Sequence, residues 1–327
     1  MRIGTIGTGL IVDVFLSALN KIDGAQCVAM YSRKEETAKP LAEKYQVETI
    51  YTDLEKLYMD PTIDFIYVAS PNSLHYEQAY RALEHGKHVI CEKPFTSTVS
   101  ETENLMKLAR KNRLMLFEGI TTIHLPNYQL IKQHVGKLGQ LKFVQCNYSQ
   151  YSSKYDALLR GETPNAFNPE FSGGALADIN IYNLHFILNL FGAPQSVSYT
   201  ANKHPNGIDT SGVLVMKYPT FIAECVGAKD TRSMNFVLIQ GENGYLHVEN
   251  GANGCQNVRL HLKDKEILLN SQTTLNTLYY ELLVFKEIFE LKDFERCNEL
   301  LDYSHSVMEV YEKARKTADI VFAADNQ

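Results

Sequence analysis

Over the first 120 residues, short apolar runs alternate with stripes of helical period. Residues 3–6 read as a strand. Ile11, Val14, Phe15 and Ala18 then fall at i, i+3, i+4 and i+7, one face of a helix that the segment 20–24 ends. The same rhythm predicts a strand over 25–31, a helix over 35–45 and a buried strand over 64–69. A helix over about 74–85, stopped by Gly86, a short strand over 88–91, a helix over 99–112 and a strand over 114–117 complete it. Strands separated by helices pair in parallel, so this part of the chain predicts a doubly wound sheet.

From about residue 121 the period changes to two. Residues 141–151, 195–202, 212–217, 221–227, 235–240 and 245–249 alternate apolar and polar side chains, with turn residues between them. A helix over 175–190 precedes most of these strands, and helices over about 276–290 and 298–314 follow them. The expected fold class is therefore α/β, with a parallel, doubly wound sheet over 1–120. An α+β domain with a large, mostly antiparallel open sheet is expected over 121–327, its outer face suited to a subunit contact.

Composition narrows the setting. The chain has 327 residues, enough for two domains that each bury a core. With 45% hydrophobic and 21% charged residues, no run approaches the unbroken apolar length of a membrane span, and the first strand starts too early for a leader, so a cytosolic chain is expected. The net charge of −6, with scattered basic residues, gives no footprint for a nucleic acid. Six widely spaced cysteines without a Cys-x-x-Cys pair suggest neither a disulfide framework nor a metal site.

Candidate chemistry lies where strands end. Gly7, Thr8 and Gly9 lead into the first helix, where glycines allow a pyrophosphate to approach the free amides, including those of Leu10 and Ile11. Val12 occupies the place of the third glycine of the dinucleotide fingerprint. After the second strand, where an acidic residue would select NAD, the chain has Ser32, Arg33 and Lys34, which favours NADP(H) and leaves NAD(H) open. The same residues also suit a solvated loop offset by Glu35 and Glu36. Ser70, Pro71, Asn72 and His75 follow the third buried strand, where they can meet a cofactor or cap the next helix. Glu92, Lys93 and Pro94 end the next strand, with Glu92 and Lys93 also expected at the cofactor. Moving a hydride between nicotinamide and carbon also requires a group that moves a proton at oxygen, a role that suits Lys93. Past Gly173 and Gly174, Asp178, Tyr182 and His185 recur at i, i+4 and i+7, a polar stripe open to a cleft or to solvent.

Taken together, Gly7-Thr8-Gly9, Ser70-Pro71-Asn72 with His75, Glu92-Lys93-Pro94, and the segment from Gly173 through Asp178 and Asn180 to Tyr182 resemble the glucose-fructose oxidoreductase, inositol dehydrogenase and rhizopine-catabolism family. The resemblance is strongest to its dimeric dihydrodiol and xylose dehydrogenase branch, through Tyr182 and Phe117-Glu118-Gly119. It implies a Rossmann domain and Lys93 with Tyr182 as the catalytic pair beside Asp178. His185, Asn180 and Tyr151 are expected at the substrate. A cis bond before Pro94, a homodimer or homotetramer joined through the second sheet, and sugar, polyol or cyclic diol substrates are also implied. Asn180 in place of a glycine and Ile123 in place of an arginine depart from the pattern. A dinucleotide-sensing regulator and an NAD-dependent glycosidase share this fold and stand as alternatives.

Overall fold

The computed structural model describes residues 1–263 and 265–326. The chain forms two compact units: Met1–Gly119 with Asn276–His305, and Ile120–Leu275 with the residues from Ser306 onward. The expected division after residue 120 is thus crossed a second time, because residues 276–305 return to the first unit.

In the first unit β1 (Arg2–Ile6), α1 (Leu10–Leu19), β2 (Gln26–Tyr31), α2 (Glu35–Tyr45), β3 (Thr49–Tyr51), α3 (Leu54–Met59), β4 (Phe65–Val68), α4 (His75–Glu84), β5 (His88–Glu92), α5 (Val99–Asn112) and β6 (Leu116–Gly119) alternate. The strands pair in parallel in the order β3-β2-β1-β4-β5-β6. Every residue of β4 is buried, as expected of a strand covered on both faces. The strand order reverses direction between β1 and β4, and ligands of open parallel sheets bind at the carboxyl ends beside such a switch. Gly7 lies there with φ of +117°, and a side chain on it would come within 2.6 Å of the Ala69 carbonyl oxygen.

The second unit contains α6 (Pro126–His134), β7 (Leu141–Ser149), α7 (Ser153–Leu159) and a π turn (Leu176–Asn180) that runs into α8 (Ile181–Phe191). Then come β8 (Ser196–Lys203), β9 (Asp209–Lys217), β10 (Ile222–Ala228), β11 (Phe236–Gly241), β12 (Gly244–Glu249), the single turn α9 (Gly251–Gly254), β13 (Gln256–Leu262) and β14 (Lys265–Leu269). Their order is β14-β13-β12-β11-β7-β10-β9-β8, antiparallel except for the central pair β7 and β10. That pair can run in parallel because the helical segment and the β8–β9 hairpin intervene and carry the chain back. The inner face buries Val144, Leu214, Cys225, Ile239, Leu246 and Leu260. The outer face leaves Val213, Val215, Ile222 and Tyr245 exposed.

Two long helices follow the second sheet. α10 (Leu278–Leu291) buries Leu278, Leu282, Phe285 and Ile288 in the core that α1 lines, which explains why this segment belongs to the first unit. α11 (Phe294–Thr317) gives its first part to the first unit and its second part to the second. No helix among the described residues is long and apolar enough to cross a membrane.

Candidate functional site

The phosphate turn is made of backbone. Gly9 is the N-cap of α1 in an extended conformation with no side-chain cap, and a Cβ placed on it would meet nothing within 4 Å. Its carbonyl accepts from Val12 and Asp13, while the amides just ahead of them, those of Leu10 and Ile11, are among the ones a helix leaves without an intrahelical acceptor. Val12, the missing third glycine, is fully buried and packs in the core. The departure is absorbed behind the turn, and the turn keeps its opening.

At the end of β2 the buried Ser32 hydroxyl is joined to that of Thr37, which in turn donates to the Lys34 carbonyl at 2.7 Å. Ser32 therefore secures the start of α2, and Arg33 and Lys34 are the exposed basic groups beside it. Ser70, Pro71 and Asn72 lie half-buried after β4. His75 is fully buried, with Nδ1 3.0 Å from the Pro94 carbonyl oxygen and Nε2 3.0 Å from that of Ser70. Burial holds its pKa below the usual histidine value, against the opposing pull of those carbonyls. Expected at the cofactor, His75 instead ties the turn after β4 to the turn after β5.

Lys93 is half-buried at the carboxyl end of β5, and the Lys93–Pro94 bond is cis. Glu92, expected at the cofactor, is instead buried in the unit, where the Tyr67 hydroxyl donates to its carboxyl at 2.6 Å. Burial raises the Glu92 pKa, and Tyr67 opposes that shift. Glu118 on β6 and Glu281 on α10 are buried carboxyls of the same unit that repel one another and Glu92. Nothing in the local sequence pattern announces this grouping, since its members come from three separate elements.

In the second unit, Gly173 and Gly174 are required by close approaches. A Cβ on Gly173 would lie 2.7 Å from the carbonyl oxygens of Asn165 and Ala166, and one on Gly174, whose φ is +105°, would overlap Asp209. That space lets Asp209 reach the start of the π turn, where Leu176 N–H and the Tyr199 hydroxyl each donate to Oδ2 at 2.7 Å. Burial raises the Asp209 pKa, and these donors with the Ala175 amide hold the shift back.

The π turn alters the expected polar stripe. Asp178 and Tyr182 remain partly exposed, but His185 is fully buried, because the wider turn changes the phase between them. Asn180 is also buried. Its amide donates to the Cys225 carbonyl at 3.0 Å, and its own carbonyl accepts from Asn183 at 2.9 Å. Gly227 leaves the room, since a Cβ there would lie 2.6 Å from that of Asn180. The asparagine in place of a glycine thus fastens the turn to β10, in place of the substrate contact expected of it. Ile123 is buried. Tyr151 is exposed and donates to Asp156 at 2.6 Å.

What remains open in this unit is Asp178, Tyr182 and their neighbours. Tyr182 meets Tyr148 edge to face with ring centroids 5.9 Å apart, and the Tyr148 hydroxyl donates to Gln150 and accepts from Asn253. Asp178 forms an ion pair with Lys229, a residue that the sequence pattern did not single out. Among the described residues no group of three or more His, Cys, Asp or Glu side chains is placed to hold a metal.

Comparison with known proteins agrees with this layout. Residues 1–120 match the model of the GFO_IDH_MocA oxidoreductase family, NAD-binding Rossmann fold, and residues 128–247 match that of the GFO/IDH/MocA C-terminal domain. The scyllo-inositol 2-dehydrogenase (NADP(+)) IolU of Bacillus subtilis (strain 168) is 34% identical over 326 residues, 99% of either chain. A trans-1,2-dihydrobenzene-1,2-diol dehydrogenase of Xenopus tropicalis is 30% identical over 221 residues, 66% of this chain and 64% of its own. The solved structure of KijD10, a 3-ketoreductase from Actinomadura kijaniata in complex with NADP and TDP-benzene, superposes with a TM-score of 0.87 at 21% identity, covering 98% of this chain and 99% of that one. At that identity the likeness speaks for the fold.

Proposed function

Since the chain belongs to the Gfo/Idh/MocA family of oxidoreductases, we propose that it is an NADP(H)-dependent dehydrogenase. In this reading it interconverts an alcohol and a carbonyl on a polyol, sugar or cyclic diol. The observation that carries the reading lies on one sheet edge. The adjacent strands β1, β4 and β5 deliver, at their carboxyl ends, an uncapped helix N-terminus, the Asn72 turn and Lys93. A dinucleotide fits this edge, because the space over Gly9 is open and the amides ahead of α1 favour an anion. Gly7, Thr8, Gly9, Leu10 and Ile11 would hold the pyrophosphate, and Ser70, Pro71 and Asn72 would border the cofactor. Arg33 would meet a 2'-phosphate, a place where an acidic residue would repel it. The NADP dependence of IolU supports that preference.

A bound nicotinamide would supply hydride transfer. Lys93 moves the proton: in the oxidising direction its neutral amine takes the proton of the reacting hydroxyl as the carbonyl forms, and in the reducing direction its ammonium returns it. Tyr182 hydrogen-bonds the reacting oxygen, and Asp178 accepts from a neighbouring substrate hydroxyl. The proposal extends to a homodimer or homotetramer joined through the outer face of the second sheet, where Val213, Val215, Ile222 and Tyr245 are exposed.

The test is NADPH formation or consumption with a panel of inositols, cyclic diols and their ketones, repeated with NADH. Turnover that favours NADPH is expected with at least one pair. Lys93→Met should lower kcat by roughly 100-fold or more while the Kd for NADPH stays within about twofold. Tight dinucleotide binding without turnover of any member would overturn the reading in favour of a sensor.

A further inference from the structure

Lys229 immediately follows β10, and its backbone is held on two sides. Its N–H donates to the Thr210 carbonyl at 2.9 Å, and its own carbonyl accepts from Ser152 N–H at 2.9 Å. The side chain is only 6% exposed, passes over the Phe167 ring with Nζ 5.4 Å from the centroid, and ends on Oδ2 of Asp178. The Asp178 side chain is 42% exposed. A long, strongly hydrated ammonium is rarely placed under a protein surface unless a partner compensates it there. Here that partner, Asp178, is itself partly exposed and lies four residues before Tyr182.

We propose that Lys229 is a positioning residue that holds Asp178 ionised and aimed, so that Asp178 accepts hydrogen bonds from substrate hydroxyls and takes no part in carrying the proton. The inference rests on the functional reading above. It divides the labour: Lys93 carries the proton, while Asp178, fixed from beneath by a cation, reads the hydroxyl pattern of the substrate. An isolated carboxylate in a partly closed site would take up a proton at higher pH and change from acceptor to donor, and a cation against it prevents that change.

Other titratable groups surround the π turn. It packs on β7, β9, β10 and α8. β7 brings Cys146 and Tyr148, the latter bonded to Gln150 and Asn253. β9 brings Asp209, which caps the turn itself. β10 brings Cys225, buried, and Glu224, which accepts from Gln145. Asp230, next to Lys229, accepts from the hydroxyls of Thr210 and Ser211. α8 brings Tyr182 and the buried His185.

The experiment compares Lys229→Met and Lys229→Arg with the wild type, using the polyol that the wild type turns over. With Lys229→Met, the polyol KM should rise about tenfold or more while the NADP+ KM stays within about twofold, and the acid limb of the kcat/KM profile should move up by about one pH unit. Lys229→Arg should restore most of both effects. An infrared titration needs no substrate. The carboxyl band lost in Asp178→Asn should titrate at higher pH in the Lys229→Met background than in the wild type. An unmoved acid limb and an unmoved band, with only a lower Tm, would overturn the proposal and leave Lys229 as packing. Should the wild type turn over no polyol, the functional reading fails by itself, and the band still decides what Lys229 does to Asp178.

Discussion

Two glycine turns open helices in this protein, and they treat the same physical problem in opposite ways. The first amides of a helix lack intrahelical acceptors and carry the positive end of the dipole. At Gly7 to Gly9 the N-cap has no side chain and the space above it is open. At Gly173 and Gly174 the same lack of a Cβ admits a carboxylate, and Asp209 closes the helix start from β9. Glycine therefore does not by itself mean a ligand. What distinguishes a binding turn from a structural one is whether another element of the fold brings an anion to it.

The second turn is most vulnerable at Asp209. Asp209→Ala removes the acceptor of Leu176 N–H and of the Tyr199 hydroxyl inside a buried region, and it should destabilise the protein by about 3 kcal/mol. Thermal unfolding measures the loss. An unchanged Tm would mean that the second turn does not depend on its internal anion, and NADPH affinity should be unaffected either way.

The converse change makes the first turn resemble the second. Gly9 has φ of −78° and ψ of −179°, which aspartate adopts without strain. Gly9→Asp would cap α1 from its own chain, adding a few tenths of a kcal/mol to stability. The same carboxylate would repel a pyrophosphate, so the Kd for NADPH should rise by about 30-fold, equivalent to roughly 2 kcal/mol. Fluorescence titration with NADPH checks it; an unchanged Kd would place the phosphates elsewhere.

The difference between the turns also marks how far the sequence could be read. The alternation of β1 to β6 with helices was visible because parallel strands are apolar runs and helices end at glycines. Only β3 and α3, three and six residues long, were too short to register. The positions of Gly7, Gly9, Asn72 and Lys93 followed from that rhythm, since each falls just after a strand. In the second unit the strands β7 to β12 showed in their alternation, whereas β13 and β14, α6 and α7 did not stand out. The helix expected over 175–190 was right in place and wrong in phase, because a π turn adds no local composition signal and yet turns His185 inward. Lys229 and Asp209 were illegible for a different reason. Each meets its partner across 51 and 33 residues of chain, and such pairings are set by strand order, which the local pattern does not encode.

The smallest effect concerns the carboxyls that the first unit does bury, away from its phosphate turn. Asp209 has donors on it, whereas Oε2 of the buried Glu281 has no hydrogen-bond partner, and Glu92 and Glu118 add repulsion. Burial first, and those two carboxylates second, raise the Glu281 pKa well above the usual carboxylate range. A carboxyl whose pKa is higher in the folded state gives stability that is complete below the unfolded value near 4.5 and is lost as pH rises through the folded value. The wild-type Tm should therefore fall as pH rises above about 4.5 until the folded pKa is passed. Glu281→Gln removes the titration and offers an amide N–H to its acidic neighbours, so the decline should flatten. At pH 8 the Tm should be higher than wild type by roughly 2–4 °C, about 1 kcal/mol for a chain of this size. An identical pH dependence in the two proteins would show that the fold carries Glu281 without cost.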